Sequence, residues 1–180
     1  MTKTLDHLFR DNLDDLLLSE RACENMLQRM SESADAACVR NHLEVVSRHC
    51  QQRIKWLEQQ CGESGVAVGR RRRSSNAEMI EHALTQLEDY ELAPEADFVI
   101  MSALQAVMHC QQARYWATAR MAASLGKQDV KDWLMRSHDQ IARGHSVGWR
   151  ILESASRQSP LGKAAAAMMP AAARASLAAG

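Results

Sequence analysis

The chain has 180 residues, which is enough for one domain with a hydrophobic core and short for two. Its 22 basic residues balance its 22 acidic residues, which argues against an overall basic field that would recruit nucleic acid or membrane. Aromatic residues make up only 4% of the chain, whereas the good helix formers Ala, Leu, Met, Gln and Glu are abundant. The composition therefore predicts an all-α fold.

The targeting and cysteine signals favour a cytoplasmic protein. The N-terminus lacks a basic segment followed by an apolar one, and no apolar run is long enough to cross a membrane. The five cysteines are an odd number and include no CxxC pair. We therefore expect free thiols in a reducing cytoplasm and no membrane partner.

The first two predicted helices form a hairpin. Apolar residues recur at steps of three and four from Thr4 to Met30, which predicts an amphipathic helix over that range. Residues 31–35, Ser-Glu-Ser-Ala-Asp, can stop this helix and cap a second one that ends near Gly62. Two long helices joined by a short turn pack antiparallel.

A long crossover follows the hairpin. Residues 63–75 are rich in Gly, Ser and Arg and predict an exposed linker rather than a helix or strand. A short helix is predicted from Asn76 to about Tyr90, because its apolar residues have helical spacing.

Two more long helices complete the predicted domain. The third spans 94–126, opened by a proline and closed by a glycine, and the fourth runs from Gln128 to about Ser156. Two hairpins joined by a long crossover predict a ferritin-like four-helix bundle over 1–157, with a short extra helix between helices two and three. The Ala- and Pro-rich segment 158–180 is expected to be a mobile tail.

Four blocks of the sequence carry a resemblance to a known family. In chain order they are TLDHLFRDNLDDLLLSERACENML, NHLEVVSRHCQQRIKWLEQ, NAEMIEHALTQLEDYEL and ALQAVMHCQQARYWATARMAASLG. By the order and spacing of these blocks, the chain from about Thr4 to Ser154 resembles the ferritin-like family of the YciE/YciF type. The resemblance implies a cytoplasmic, stress-associated bundle that is commonly dimeric and related to rubrerythrin and ferritin. It also implies acidic residues in the bundle core that hold two metal ions.

The chain departs from this family where the resemblance implies metal ligands. It keeps the implied acid at Glu20, but Val45, Met108, Gln111 and Ile141 stand where acidic residues are implied. A di-iron site of this class takes Glu-x-x-His pairs from two helices, and the sequence contains none. We therefore predict a degenerate di-metal centre in a non-catalytic, self-associating protein.

Polar residues nevertheless share the predicted inward face of the bundle. Helical phase, at about 100° per residue, places there Glu20, Gln111, His138, His145 and Cys50. One interpretation is a buried network in which Glu20 pairs with a protonated His and Gln111 completes the hydrogen bonds. The alternative is a metal-binding protein or oxidoreductase that holds one iron, zinc or copper ion on these side chains. We favour the network, because ligation across three helices cannot be verified from spacing.

Two similar stretches, HCQQRIKW and HCQQARYW, lie on the second and third long helices. Helical phase turns Cys50 inward in the first stretch and Gln111 inward in the second. Because different positions of the two stretches face the core, the stretches do not predict one symmetric metal site. His109 and Trp116 fall on a second face. We expect that face to form the interface of a homodimer.

The run Arg70, Arg71, Arg72 and Arg73 has the chemistry to contact phosphate. No aromatic residue lies beside it and the chain has no net positive charge, so a solvated linker is favoured. Nucleic-acid or partner binding through this run is the weakest alternative. The sequence contains no Gly-rich phosphate loop and no nucleophile elbow, so it identifies no small-molecule substrate.

Overall fold

The computed structural model describes residues 4–66, 74–90 and 95–158, with side chains up to residue 154. Within these ranges the chain forms only α-helices, which confirms the predicted all-α class. The helices are α1 (Leu5–Ser33), α2 (Ala37–Glu63), α3 (Ala77–Tyr90), α4 (Ala96–Ser124) and α5 (Gln128–Gln158). The predicted helix ends agree with these bounds to within a few residues, which is the usual uncertainty of a helix terminus.

The four long helices enclose one apolar core. α1 packs along α2 and α4 packs along α5, while α1 also contacts α4. The short α3 lies against α1 and α4 and covers that side of the bundle. The contact between α2 and α5 is the least extensive of these pairings. In the part of the chain that the structure describes, α3 therefore covers one side of the bundle, and the opposite side is more open.

Helix ends are fixed both locally and across the bundle. Thr4 and His7 form a reciprocal capping box at the start of α1, in which the Thr4 hydroxyl accepts from the His7 backbone N–H at 3.3 Å. α2 has no local side-chain cap. Instead, the carboxylate of Asp97 on α4 accepts from the backbone N–H groups of Asp35 at 3.0 Å and Ala36 at 2.8 Å. The carboxylate also complements the positive end of the α2 dipole.

A glycine turn joins α4 to α5. Gly126 has φ 72°, a left-handed conformation that costs glycine little. The backbone N–H of Lys127 bonds to the carbonyl of Ala122 at 2.9 Å, and that of Gly126 bonds to Ala123 at 3.1 Å. These two bonds form a Schellman motif, which reverses the chain within a few residues and sets α5 antiparallel to α4.

The connection after α2 is anchored where it rejoins the bundle. Ser74, within the predicted exposed linker, is in fact buried, and the neighbouring Ser75 backbone donates to Asp15 on α1 at 2.9 Å. Asp15 is also paired with Arg114 of α4. The Arg70–73 run and the predicted tail from residue 159 onward lie outside the described residues, so those predictions stay predictions.

Candidate functional site

The centre of the bundle contains a buried carboxylate with a cationic partner. Glu20 on α1 has no exposed surface, and Arg53 on α2 is 3% exposed. Arg53 donates from Nε to Glu20 Oε1 at 2.8 Å and from Nη2 to Oε2 at 3.0 Å. Tyr115 on α4 donates its hydroxyl to Oε1 at 2.9 Å. Three donors from two helices therefore surround this carboxylate.

The helical positions of Arg53 and Tyr115 explain why they meet Glu20. Arg53 follows the buried Cys50 by three residues, and Tyr115 follows the buried Gln111 by four. Residues three or four apart lie on the same helix face. Each HCQQ stretch therefore carries, one turn beyond its inward residue, a donor that contacts Glu20.

The electrostatics of the centre favour a fixed charge state. Burial alone lowers the pKa of Arg53, but the Glu20 carboxylate more than reverses this effect, so the net pKa is raised and the guanidinium stays charged. Burial and then the Glu20 charge raise the pKa of Tyr115, which keeps its hydroxyl protonated and able to donate. The group is thus a neutral pair with an attached phenol, rather than a proton relay poised near pH 7.

Cys50 does not supply a thiolate to this centre. Its thiol donates to the backbone carbonyl of Glu20 at 3.2 Å. A hydrogen bond with Cys23, followed by burial, strongly raises the pKa of Cys50. Metal ions bind the thiolate and not the thiol, so this environment disfavours Cys50 as a ligand.

The two histidines predicted to join Glu20 have other partners. His138 lies 3.3 Å from Gln112 Nε2 and 2.9 Å from Asp139 Oδ1. The ring of His145 lies 5.7 Å from that of His109 and packs edge-on to Trp149 at 6.0 Å. The predicted buried network therefore has Arg53 and Tyr115 as the partners of Glu20, and not a protonated histidine.

The remaining donors do not converge on an ion. Gln111 is buried as expected from its helical phase, but its amide nitrogen has no hydrogen-bond partner among the residues that the structure describes. In the part of the chain that the structure describes, no three His, Cys, Asp or Glu side chains are grouped as metal ligands would be. Glu20 already has three donors and Cys50 holds its proton, so this donor set does not fit the predicted single metal ion.

A second polar and aromatic surface lies on the outside of α4 and α5. Trp116 is 52% exposed, Trp149 48% and Phe98 42%. Phe98, His109 and Trp116 are separated by eleven and seven residues, which places them on one stripe of α4. His145 and Trp149 of α5 adjoin this stripe at His109. We call these five residues the aromatic face.

Two helical hairpins with a crossover helix define the class of this molecule as an all-α bundle compatible with the ferritin-like architecture. The chain belongs to the family described as "Domain of unknown function (DUF892)", whose model matches residues 4–146. Among solved structures, it is similar to "YcfI, a putative structural protein from Rhodopseudomonas palustris". That match has 22% identity and a TM-score of 0.69, and covers 81% of this chain and 93% of the other. At this identity the likeness shows the fold alone.

No curated protein is significantly similar to the chain. Among the described residues, no helix combines the length and apolar character that crossing a membrane requires.

Proposed function

We propose that this protein is a cytoplasmic, stress-associated ferritin-like bundle of the YciE/YciF type, in which an ion pair has replaced the di-metal centre. Its function is to associate with itself and not to turn over a substrate. The observation that carries the proposal is the ion pair between the Arg53 guanidinium and the Glu20 carboxylate. Because of this pair, the chain itself supplies the cation that neutralises the acidic residue kept at the implied metal centre. Glu20 needs no metal ion to balance its buried charge.

The aromatic face supports self-association. Large aromatic side chains are enriched at protein interfaces and supply much of their binding energy. Two tryptophans about half exposed on adjoining helices are unusual for a surface with no partner. The chain also has no net charge at pH 7, so two copies approach without long-range repulsion. A homodimer formed through this face is the proposed assembly.

Sedimentation velocity over a range of protein concentrations tests the assembly. We expect the wild type to be a dimer, and the double variant His109→Asp, Trp116→Asp to be a monomer with unchanged helical content. Tyr90→Asp is the matched control, because Tyr90 is 46% exposed at the end of α3 and lies outside the aromatic face. A monomeric wild type, or a double variant that remains dimeric, would refute the assembly.

A further inference from the structure

The open side of the bundle contains a cleft between α2 and α5. The two helices are held together at one end, where Trp56 stacks on Trp133 at 3.6 Å between ring centroids and Arg53 bonds to Gln140. Beyond that end they enclose a cleft of about 750 Å³. Ligand sites in proteins typically measure about 300 to 1,000 Å³. The cleft is therefore large enough for a small molecule.

The polar and apolar groups of the cleft are separated along its length. Arg53, His49 and Arg143 lie at the end near the tryptophan stack, whereas Val45 and Val147 line the middle. The described residues that line it include no Asp or Glu. Burial and then the guanidiniums of Arg53, Arg48 and Arg143 lower the pKa of His49, which indicates a positive potential at that end. This distribution is complementary to a molecule with an anionic head and an apolar body.

Among the described residues of the lining, one cationic group, Arg143, is available to bind a ligand strongly. The Arg53 guanidinium is committed to Glu20 and Gln140. Arg143 is exposed at the same end, and His49 beside it is partly buried. One guanidinium with a neighbouring imidazole matches a singly charged carboxylate better than a doubly charged phosphate.

An unsatisfied polar group lies at the opposite end. His42 lines the cleft, is only 6% exposed, and has a buried Nε2 with no hydrogen-bond partner among the described residues. Leaving such a group unpaired costs about 1 to 3 kcal/mol. That nitrogen is buried beside Gly148 and Gln105 and does not open into the cleft, so this end of the cleft offers no polar contact to a ligand.

We propose that this cleft binds a medium-chain organic carboxylate, with the carboxylate on Arg143 and His49 and the alkyl chain along Val45 and Val147. The helix spacing is consistent with such a chain. His42 and His49 are seven residues apart, which is about 10 Å along the axis of α2 at about 1.5 Å per residue. The site adjoins the Glu20 centre at Arg53, which lines the cleft, and contains none of the residues of the aromatic face.

Isothermal titration of the full-length protein with decanoate tests the proposal. We expect saturable binding of one decanoate per chain, and at least tenfold weaker binding of decyltrimethylammonium, which has the same chain and the opposite charge. Binding of both amphiphiles with similar affinity, or of neither, would overturn the proposal. Tighter binding of decyl phosphate than of decanoate would overturn the assignment of the head group.

Variants with matched controls locate the site. Arg143→Glu is expected to weaken decanoate binding at least tenfold, whereas Arg150→Glu, an exposed arginine of α5 outside the cleft lining, leaves it within twofold. Val147→Gln is expected to weaken binding, and the neighbouring exposed Ser146→Gln is its control. Equal effects of variant and control would refute the location. Decanoate binding that appears only after removal of residues 159–180 would assign the cleft to that segment of the chain and overturn the proposal.

Discussion

Arg53 contacts both carboxylate oxygens of Glu20, and the pair joins α1 to α2 at the centre of the bundle. The side chains of the two residues are 4% and 0% exposed. A charge pair this deeply buried gives up the hydration of both ions, and it compensates only with good geometry and further hydrogen bonds. Tyr115 and Gln140 provide two such bonds. We therefore expect the pair to add little net stability and to act mainly on how α1 and α2 meet.

The first prediction concerns the two halves of this pair. Arg53→Met leaves the Glu20 carboxylate buried without a cation, so we expect the free energy of unfolding to fall by about 3 to 5 kcal/mol. The double variant Arg53→Met, Glu20→Leu removes both charges and is expected to recover most of that loss. Urea unfolding followed by circular dichroism measures both effects.

The exposed pair Arg21–Glu58 provides the control for this prediction. Its atoms are 2.7 Å apart, as close as in the buried pair, but its side chains are 45% and 46% exposed. Arg21→Met is expected to cost only about 0 to 1 kcal/mol. If Arg53→Met lowers the free energy of unfolding no more than Arg21→Met does, then Arg53 does not balance a buried Glu20 charge as described.

The second prediction concerns metal content. Because Arg53 and Tyr115 occupy the oxygens of Glu20, we expect protein purified without chelator to contain well under one iron, zinc or copper ion per chain. Glu20→Gln and His145→Ala are expected to leave that content unchanged, as measured by inductively coupled plasma mass spectrometry. Near-stoichiometric iron that is lost in Glu20→Gln would restore the metal-centre alternative, and a loss confined to His145→Ala would place a metal site on the aromatic face.

The helices could be predicted from the sequence because their signals are local. The three- and four-residue spacing of apolar residues and the glycine that closes α4 depend on near neighbours only. The burial of Cys50 and Gln111 followed from helical phase in the same way, and the structure confirms it. The connectivity of the bundle followed from the order of the elements, two hairpins joined by a long crossover, and the resemblance to a ferritin-like family agrees with it.

The partner of Glu20 could not be predicted so directly. An arginine three residues after Cys50 lies on the inward face, and that position was the available signal, but arginine is normally a surface residue. Which cation reaches a buried acid depends on distances between helices, and those are set by tertiary packing. The same reason explains why the position of the His145 ring could not be predicted. Helical phase places His145 close to the core, but its ring lies beside that of His109.

The third prediction concerns pH. Burial lowers the pKa of His42 from its usual 6.5, so the unfolded chain takes up its proton at a higher pH than the folded chain does. Stability from this residue is therefore present above about pH 6.5 and is lost as the pH falls below it. The lowered pKa values of His49 and His145 act in the same direction.

A variant isolates the His42 contribution. His42→Gln is expected to flatten the fall in unfolding free energy between about pH 7 and pH 5, by at most about 1.4 kcal/mol per pH unit for one proton. His82→Gln, at an exposed position of α3, is the control and is expected to keep the wild-type slope. Parallel curves for the wild type and His42→Gln would contradict the prediction.

The last prediction concerns Gly148, where α5 passes close to a side chain of α4. A Cβ added at Gly148 would overlap Gln105 Nε2 and lie 3.2 Å from His42 Nε2. Alanine normally stabilises a helix interior by about 1 kcal/mol relative to glycine. Here the buried Gln105 side chain would have to move, so we expect Gly148→Ala to destabilise the protein in urea unfolding.

Shortening Gln105 should reverse the sign of that effect. In a Gln105→Ala background the obstructing amide is absent and the close approach to His42 Nε2 remains, so Gly148→Ala is expected to stabilise by at most about 1 kcal/mol, the ordinary difference in helix propensity. The double-mutant cycle thus separates close approach from propensity. If Gly148→Ala has the same effect with and without the Gln105 side chain, the contact between Gly148 and Gln105 is not what requires glycine at this position.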